Sequence, residues 1–472
     1  MPTRRRGGLD SSTTMDARAH SSTVGLTRRA AVGSLIALGA GFALFGPSGL
    51  DEQVRRARRQ GRLILDYWEK WTSVEGEAMR AVVDRFNQSQ PRIYVRYLVT
   101  ATIHQKALVA IAGGDAPDII GMYSENVATY AEANAVLALD ELALAAGLSL
   151  DMYARGMRQV MQHRGRWWGV VNTGGTLAMY YNRRLFAQAG LDPDKPPATI
   201  AEWDEANRRL ARREGNRLIG VGHLPIEPGW WPWMWGYYFG GAAWDPQSNR
   251  CTFGAEPNQR AYEWVQRTAR DLGYAEVERF RAGLGPYGTD TQGFLTGKVA
   301  MVVQGPWMAN QLTTFAPDLD YGVAPVPVAE SMLDPGAPVA LVDTDVLMIP
   351  RNARHPEASM EFIAFTQRQD VVEQLARVHC KGSPLATVSE EFLRTHKNRG
   401  VELHTRLADS PRAFTAPATP AWAEMKDVFS STFLSIWKGE AAPRDRLIEA
   451  QGRCNDAIDR HREQLRRRGE TA

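Results

Sequence analysis

Short apolar runs alternate with helical periodicity along the chain from about residue 61 onward. The run LILDYW (63–68) is typical of a buried parallel strand, and the next segment places four apolar residues on one helical face: Met79, Val82, Val83 and Phe86. The segments IYVRYLV (93–99) and DII (118–120) predict two further strands, and HQKALVAIAGG between them predicts a helix that ends at paired glycines. Strand, helix and strand at this spacing predict a parallel α/β sheet with right-handed crossovers.

The carboxyl ends of these strands are the predicted ligand-binding edge. Parallel α/β sheets bind ligands there, so the loops that begin at Trp68 and Gly121 are candidate site loops. Glu69 and Trp71 follow the first strand directly. Two interpretations remain open: Trp68, Glu69 and Trp71 clamp a ligand, or Glu69 caps the helix that follows.

A second lobe is predicted to begin after the segment VNTGGTLAMYYNRRLF (171–186). The pair Gly174 and Gly175 suits a point where the chain crosses between lobes, because glycine tolerates backbone conformations that other residues avoid. Thr199 and Glu202 have the spacing of a capping box and predict the start of a helix. Because no internal repeat or long low-complexity linker follows, we expect several crossings of the chain to join the lobes.

Residues 230–241 read WWPWMWGYYFGG, and the whole chain contains 14 tryptophans. If this stretch is extended, Trp231 and Trp233 share one side, and Pro232 disfavours a regular helix there. An aromatic ring suits the apolar C–H face of a pyranose sugar, while carboxylates and amides suit its hydroxyls. Because aromatic residues are buried more often than they bind ligands, we expect most of these rings in the core and at least one of Trp231 and Trp233 at a ligand.

Composition disfavours several functional classes. The 56 Lys and Arg residues nearly balance 53 Asp and Glu, and a net charge of +3 does not indicate a nucleic-acid partner. The three cysteines, Cys251, Cys380 and Cys454, allow at most one disulfide. The chain contains no H-E-x-x-H, G-x-S-x-G, Walker or C-x-x-C motif, and its nine histidines lack metal-ligand spacing. We therefore expect no cofactor, no metal ion and no nucleic acid.

The first 60 residues are predicted to be an export leader rather than part of the fold. Arg28 and Arg29 precede an apolar run at residues 30–45, which is shorter than the roughly 20 residues that span a bilayer. This pattern resembles a twin-arginine export signal. Because there is no A-x-A cleavage site and a second basic run follows at residues 55–62, two outcomes remain open: the leader is removed, or it stays as an N-terminal membrane anchor.

Six segments occur in the order and spacing of one protein family: AGGDAPDII, YAEANAVLALDEL, LAMYYNRRLFAQAGLD with PPATIAEW, GKVAMVVQGPW, YGVAPVPV and EFIAFTQ. After about residue 60 the chain resembles extracellular solute-binding protein family 1, the sugar-type binding proteins of ABC importers, which the maltose-binding protein also resembles in outline. The resemblance implies a two-lobed α/β fold of the type II periplasmic binding proteins, with a ligand cleft between lobes that a multi-crossing hinge joins. It also implies the membrane permease of an ABC transporter as a partner.

The resemblance further implies roles for individual residues. Glu125 and Asn126 stand in the loop where relatives present polar groups to the sugar. Trp307 and Trp422 stand where sugar-binding relatives place stacking aromatic rings. Gly175 is a departure, because the maltose-type proteins carry an acid at this position, so the resemblance does not imply a maltose-like hydrogen-bond pattern.

Asp343 and Asp345 in LVDTDVLMIP are two carboxylates at positions i and i+2. A strand would place both on one face roughly 7 Å apart, a separation that also fits the acid pair of an inverting glycoside hydrolase. The alternative is a polar strand entry at the hinge, with one acid bound to the ligand or to the backbone. Because nothing else in the chain indicates a hydrolase, we favour the second interpretation.

We therefore predict a monomeric, non-enzymatic binding protein, exported to the periplasm or the cell exterior, that captures a carbohydrate by hinge closure and delivers it to a permease. Residues 61–172 and 322–376 are predicted to form the first lobe, and residues 173–321 and 377–472 the second. One alternative is another solute in the same fold, such as a polyol, a glycerol phosphodiester, a polyamine or other cation, or a metal chelate. A less favoured alternative is a carbohydrate-active hydrolase that uses the acid pair.

Overall fold

The computed structural model describes residues 49–100 and 102–467. The chain divides into two units, residues 1–56 and 57–472. The described part of the first unit belongs to the helix Gly49–Arg59, in which Arg55 donates a hydrogen bond to Glu52. The twin arginines and the apolar run of the predicted export leader lie outside the described residues, whereas the last part of that leader, from residue 49, is described and is mostly helical. Among the helices that are described, none is both long and apolar enough to cross a membrane.

The first sheet has five strands, in the order Ile93–Val99, Leu63–Glu69, Ile119–Tyr123, Asp345–Met348 and Val170–Thr173. The first three strands run parallel, which confirms the predicted strand, helix, strand pattern, and each of the last two is antiparallel to its neighbours. The helix Ser73–Ser89 connects the first two strands of the chain and buries its predicted apolar face. The carboxyl ends of Leu63–Glu69 and Ile119–Tyr123 consequently lie at the same edge of the sheet.

The second sheet is smaller and antiparallel. Its strand order is Met301–Gln304, Ala178–Asn182, Tyr321–Ala324. The helix Ile200–Leu210 begins at the predicted capping box, in which the Glu202 N–H donates to Thr199 Oγ1 at 3.3 Å and the Thr199 N–H donates to Glu202 Oε2 at 3.1 Å. These two reciprocal bonds satisfy backbone donors that the first turn of a helix leaves open.

The remaining elements complete the two lobes. Short strand pairs are Gln162–His163 with Arg166–Trp167, Arg212–Glu214 with Arg217–Gly220, Trp244–Asp245 with Arg250–Cys251, and Ala340–Leu341 with Ala413–Phe414. The other α-helices are Ile103–Gly113, Val127–Glu132, Asp140–Ala145, Arg155–Met161, Arg183–Gln188, Glu256–Leu272, Tyr274–Ala282, Met308–Phe315, Pro356–Thr366, Gln369–His379, Glu390–Thr395, Val401–Ala408, Trp422–Trp437 and Pro443–Arg467. Single 3-10 turns are Ser124–Asn126, Leu150–Met152, Trp235–Phe239 and Glu330–Met332.

Each sheet packs in its own hydrophobic core, which makes the fold two-lobed. The core of the first lobe contains apolar residues of the five-stranded sheet and of the helices that cover it. The core of the second lobe is rich in indole rings, and four of them are almost completely buried: Trp203, Trp235, Trp264 and Trp437. Nine of the 14 tryptophans are buried in the two cores, which confirms the expectation that most of the tryptophans fill the core. All three cysteines are buried and free.

Three crossings of the chain connect the two cores, at residues 171–177, 341–346 and 408–414. Near the first crossing, Gly174 and Gly382 exchange two backbone hydrogen bonds, of 2.7 and 3.1 Å. A Cβ atom on Gly175 would lie 2.1 Å from the carbonyl oxygen of Asp343. Gly174 and Gly175 therefore permit close approach of backbones, and neither has a positive φ.

The boundaries of the two lobes along the chain, as predicted from the sequence, stay a prediction. The strand Tyr321–Ala324 belongs to the second sheet, and Asp345–Met348 belongs to the first, so the second crossing falls between them. Ala408 and Ala413 pack in the core of the first lobe, although the pattern of the sequence placed this part of the chain in the second lobe.

Candidate ligand-binding site

A cavity of about 750 Å³ lies between the lobes and is bounded by residues of both lobes and of the crossing segments. This volume is within the range of small-molecule binding sites, roughly 300–1,000 Å³. Six of the residues that we identified from the sequence line this cavity: Trp71, Glu125, Trp231, Trp307, Asp343 and Asp345.

A continuous row of aromatic rings forms the wall that the second lobe contributes. Tyr287 packs on Trp230 with 4.8 Å between ring centroids, Trp230 on Trp231 with 5.3 Å, and Trp231 on Trp307 with 6.2 Å. All four rings line the cavity. Sequence reasoning missed Tyr287, which lies in a glycine-rich segment, and did not single out Trp230, although it belongs to the WWPWMW stretch.

The first lobe contributes Trp71 and Tyr123 to the opposite wall. Trp71 is fixed by an edge contact with His379, with 4.5 Å between ring centroids. Tyr123 is half exposed and ends the strand Ile119–Tyr123, at the edge of the sheet where the topology predicts ligand contacts. Aromatic surface therefore faces the cavity from both lobes.

Five predicted site residues do not line the cavity: Trp68, Glu69, Asn126, Trp233 and Trp422. Trp68 packs against the first core, and Asn126 donates its side-chain N–H to the Tyr123 carbonyl. Trp233 and Trp422 pack edge to face on each other, 5.3 Å apart, within the core of the second lobe. The stretch 231–239 turns instead of running extended, so Trp231 and Trp233 do not share a side.

Glu69 does not line the cavity and does not cap the next helix. Its carboxylate is fully buried and accepts hydrogen bonds from the Tyr67 hydroxyl at 2.5 Å and from the Lys70 backbone N–H at 2.7 Å. The helix Ser73–Ser89 has Thr72 at its N-cap, without a side-chain cap. Glu69 ends its strand at the predicted edge of the sheet, but its side chain does not line the cavity.

Asp345 is held by two ammonium groups. Lys70 Nζ lies 2.8 Å from its Oδ1 and Lys381 Nζ lies 3.2 Å from its Oδ2. Burial acts to raise the pKa of Asp345, but the charges of Lys70 and Lys381 outweigh it and hold that pKa well below its usual range. Lys381 also pairs with Glu75 at 3.4 Å. Both oxygens of Asp345 are consequently occupied.

Asp343 has a different environment from Asp345. Its Oδ2 accepts a hydrogen bond from the Trp231 indole N–H at 2.6 Å. Burial, followed by the charge of Glu125, raises the pKa of Asp343 to about 7, although the bond from Trp231 acts to lower it. The two acids that looked equivalent in LVDTDVLMIP therefore differ in protonation at neutral pH.

Glu125 connects the lobes. It lies in the 3-10 turn Ser124–Asn126 at the end of a strand of the first sheet. Its carboxylate accepts a hydrogen bond from the Trp422 indole N–H at 3.0 Å and pairs with Lys426 Nζ at 2.8 Å. Both partners belong to the helix Trp422–Trp437, which packs in the second core. Trp422 thus contacts the lining residue Glu125, while its ring stays in the core.

Comparison with known proteins agrees with this architecture. The model of the bacterial extracellular solute-binding protein family matches residues 70–372. A binding protein of Brucella abortus (strain 2308) is 28% identical over 302 residues, which cover 62% of this chain and 68% of that protein. The sn-glycerol-3-phosphate-binding periplasmic protein UgpB of Salmonella paratyphi A is 23% identical over 428 residues, covering 83% of this chain and 92% of that protein.

Solved structures show the same fold at lower identity. CpMnBP1 with mannotriose bound superposes with a TM-score of 0.69 at 22% identity, covering 83% of this chain and all of that one. The sugar-binding protein MalE from Xanthomonas citri superposes with a TM-score of 0.71 at 16% identity, covering 85% and 99% of the two chains. With two lobes, a cleft between them and a family model that spans most of both, the chain belongs to the bacterial extracellular solute-binding protein family.

Proposed function

We propose that this chain is the exported substrate-binding protein of an ABC importer, and that it captures a carbohydrate between its lobes and delivers it to a membrane permease. The observation that carries the proposal is the row of rings from Tyr287 to Trp307, which faces Trp71 and Tyr123 across a cavity that also contains carboxylates. Pyranose rings present apolar C–H faces and a rim of hydroxyls, so this combination of ring faces and acceptors is complementary to them.

The cavity also provides hydrogen-bonding groups at its edge. Asn310 and Gln311 line it from the helix Met308–Phe315, and Glu75 lines it from the first lobe. Small-molecule sites combine a mostly apolar lining with a few polar groups that fix the orientation of the ligand. A bound sugar would therefore contact both lobes at once.

Contact with both lobes supports capture by closure. A ligand that makes more contacts in the closed state shifts the equilibrium of the lobes toward that state. The Glu125 bonds to Trp422 and Lys426 span the same gap without a ligand. We propose that the closed surface is what the permease binds, that the chain acts as a monomer, and that the leader directs its export.

Glycerol-3-phosphate is a second candidate ligand, because the UgpB proteins are named for it, and a glycerol phosphodiester is considered with it. Phosphate sites commonly combine backbone N–H donors with arginine or lysine side chains whose charge is available to the phosphate. Within the described cavity lining no arginine is present, Lys381 pairs with Asp345 and Glu75, and Lys426 pairs with Glu125. The electrostatics of the cavity therefore favour an uncharged or cationic ligand over a phosphate.

A hydrolase that uses Asp343 and Asp345 is also disfavoured. An inverting enzyme needs one carboxylate free to activate water. Both oxygens of Asp345 already contact ammonium groups, so only Oδ1 of Asp343 stays open and the pair does not provide a separate acid and base. Incubation with oligosaccharides should release no reducing ends, whereas a hydrolase would release them continuously.

Tryptophan fluorescence tests the proposal, because four of the described lining residues are indoles. Residues 57–472 would be titrated with mono- and oligosaccharides, and in parallel with polyols, polyamines and glycerol phosphodiesters. We expect a saturable change with a carbohydrate and a matching rise in melting temperature. Saturation by a phosphodiester, with silence across the carbohydrates, would exclude a sugar ligand.

Variants then locate the ligand. Trp307→Ala should weaken carbohydrate binding by roughly 3- to 10-fold, since an aromatic contact contributes about 0.5–1.5 kcal/mol. Trp244→Ala is the matched control, because that indole is half-buried, donates to Asn249 and does not line the cavity. Equal affinities of the two folded variants would show that Trp307 does not contact the ligand.

A further inference from the structure

Asp343 differs from the other carboxylates of the cavity in lacking a cationic partner. Among the described lining residues, Glu75 pairs with Lys381, Glu125 pairs with Lys426, and Asp345 pairs with lysine on both oxygens. No described lysine or arginine lies within ion-pair distance of Asp343, which interacts through charge with the carboxylates Glu125 and Asp345 and, more weakly, with Lys426.

The free oxygen of Asp343 is available to a ligand. Oδ2 accepts the neutral Trp231 N–H, and Oδ1 accepts no hydrogen bond from any residue that the structure describes. A carboxylate that is largely shielded from water and has no counter-ion is costly, which favours uptake of a proton or of a cation. Asp343 is partly exposed to the cavity, so a cationic group of a bound ligand can reach it.

The charges around Asp343 favour a cation at this place. Glu125 and Asp345 both raise its pKa, and of the groups that face it only Lys426 and the Trp231 N–H lower it. Tyr123 also faces it, and burial and the neighbouring carboxylates act to raise the pKa of that phenol, so it is neutral. Glu125 and Asp345 thus act on Asp343 more strongly than Lys426 does, although each of them is paired with lysine.

Two tryptophan rings of this cavity lie close to an ammonium group of the protein itself. Lys381 Nζ lies 5.1 Å from the centre of the Trp71 ring and 5.8 Å from that of Trp307. Trp231 and Trp307 lie next to each other, 6.2 Å apart, on the side of the cavity where Asp343 is bonded to Trp231. Ring faces attract a desolvated cation, and Trp does so most strongly.

We propose that the ligand is an amine-bearing carbohydrate whose ammonium group binds Asp343 Oδ1 beside the rings of Trp231 and Trp307. This inference rests on the proposed carbohydrate-binding function and specifies its substrate class. The sugar rings occupy the aromatic row, and the ammonium group supplies the counter-ion that Asp343 lacks. Charge complementarity, in addition to stacking, then selects the ligand.

Three disaccharides with one β-1,4 backbone provide the test: cellobiose, the glucosamine disaccharide of chitosan, and its N-acetylated form. Affinities would be measured by calorimetry at pH 6 for the wild type and for Asp343→Asn, with Asp334→Asn on an exposed loop as the control. We expect the wild type and the control to bind the glucosamine disaccharide about 10-fold or more tightly than cellobiose, since charge-assisted hydrogen bonds are the strong ones. In Asp343→Asn the ratio of the affinity for the glucosamine disaccharide to the affinity for cellobiose should fall to about 2 or less.

Proton release provides a second readout. Burial and the charge of Glu125 raise the pKa of Asp343 to about 7, so much of this carboxyl group carries a proton at pH 6. Binding of an ammonium group to Asp343 Oδ1 should ionise the carboxyl group and release protons, measured as the dependence of binding enthalpy on buffer ionisation enthalpy, and Asp343→Asn should release fewer. Cellobiose should release close to none.

The outcomes separate the two proposals. Tighter binding of cellobiose than of the glucosamine disaccharide by the wild type, or the same ratio in Asp343→Asn, overturns the amine inference and leaves carbohydrate binding intact. Proton release on binding that persists undiminished in Asp343→Asn also overturns it. Saturation of the wild type by spermidine and by no carbohydrate overturns both the proposed function and this inference.

Discussion

Replacement of Lys70 by methionine should destabilise the fold strongly, although Lys70 does not line the cavity. Its Nζ lies 2.8 Å from Asp345 and 3.1 Å from Glu69, and the side chains of all three residues are at most 8% exposed. Burial acts to lower the pKa of Lys70, but the charges of Asp345 and Glu69 outweigh it and raise that pKa. Lys70→Met keeps the length of the stem and removes only the charge.

The expected loss follows from the carboxylates that remain. Removal of one partner from a buried ion pair costs about 3–5 kcal/mol, because the other charge stays buried. Asp345 would still pair with Lys381, and Glu69 would still accept the Tyr67 hydroxyl, so we expect about 3 kcal/mol. Lys195→Met is the control, because Lys195 is 84% exposed and lies 3.6 Å from Asp192. Exposed pairs contribute about 0–1 kcal/mol.

The dependence on pH gives a second, independent check. The folded-state pKa of Asp345 is depressed, so its stabilisation is present above the unfolded value of about 3.9 and is lost as the pH falls below it. The folded-state pKa of Lys70 is raised, so its stabilisation is present below about 10.4 and is lost as the pH rises further. The difference between wild type and Lys70→Met should therefore be largest between about pH 5 and 9.

Urea unfolding at pH 3, 5, 7 and 9 would measure these free energies. Melting curves at pH 7 would first establish that both variants fold. An equal, small loss in Lys70→Met and Lys195→Met would refute the reasoning, as would a large loss that is the same at pH 3 and pH 7. The second result would indicate lost packing of the lysine stem rather than lost charge.

Three further predictions concern the crossings, the buried imidazoles and the bond between the lobes. Gly175→Ala places a Cβ 2.1 Å from a backbone oxygen and should cost about 1–3 kcal/mol of stability, measured by thermal melts. Gly113→Ala is the control and should be neutral or stabilising, because Gly113 lies in a helix with open space around it. Equal melting temperatures of the two variants would contradict this prediction. Burial lowers the pKa of His404 to about 3, below the unfolded value of about 6.5, so stability should fall from pH 6.5 toward pH 4, and the slope should be smaller in His404→Gln. Lys426→Met removes the 2.8 Å pair with Glu125, so X-ray scattering of the ligand-free variant should give a larger radius of gyration than the wild type, and an unchanged radius would show that this pair does not hold the lobes.

Local pattern predicted much of the framework. The strand at residues 63–69, the helix Ser73–Ser89 and the capping box at Thr199 each depend on residues within a few positions of one another, so periodicity and cap chemistry identify them. The pair Gly174 and Gly175 was assigned to a crossing, but its physical reason is close backbone approach rather than an unusual φ.

The site was harder to predict, because its decisive contacts join distant residues. The stretch WWPWMW predicts aromatic surface, but the turn after Trp231 sends that ring to the cavity and Trp233 to the core. Lys381 and Lys426 have no local pattern that marks them, since their partners Asp345 and Glu125 lie 36 and 301 residues away in the chain. Only the packing of the two lobes brings these groups together.

The chain by itself determined the family, the two-lobed α/β fold, the strand edge that carries the site and the abundance of rings near it. The tertiary structure decided which rings face the cavity and how each acid is charged. The reason is physical: hydrophobic periodicity and capping act over a few residues, whereas burial and Coulomb interactions depend on distances through space. Asp343 and Asp345 are two positions apart in the sequence, yet one is bonded to an indole and the other to two lysines.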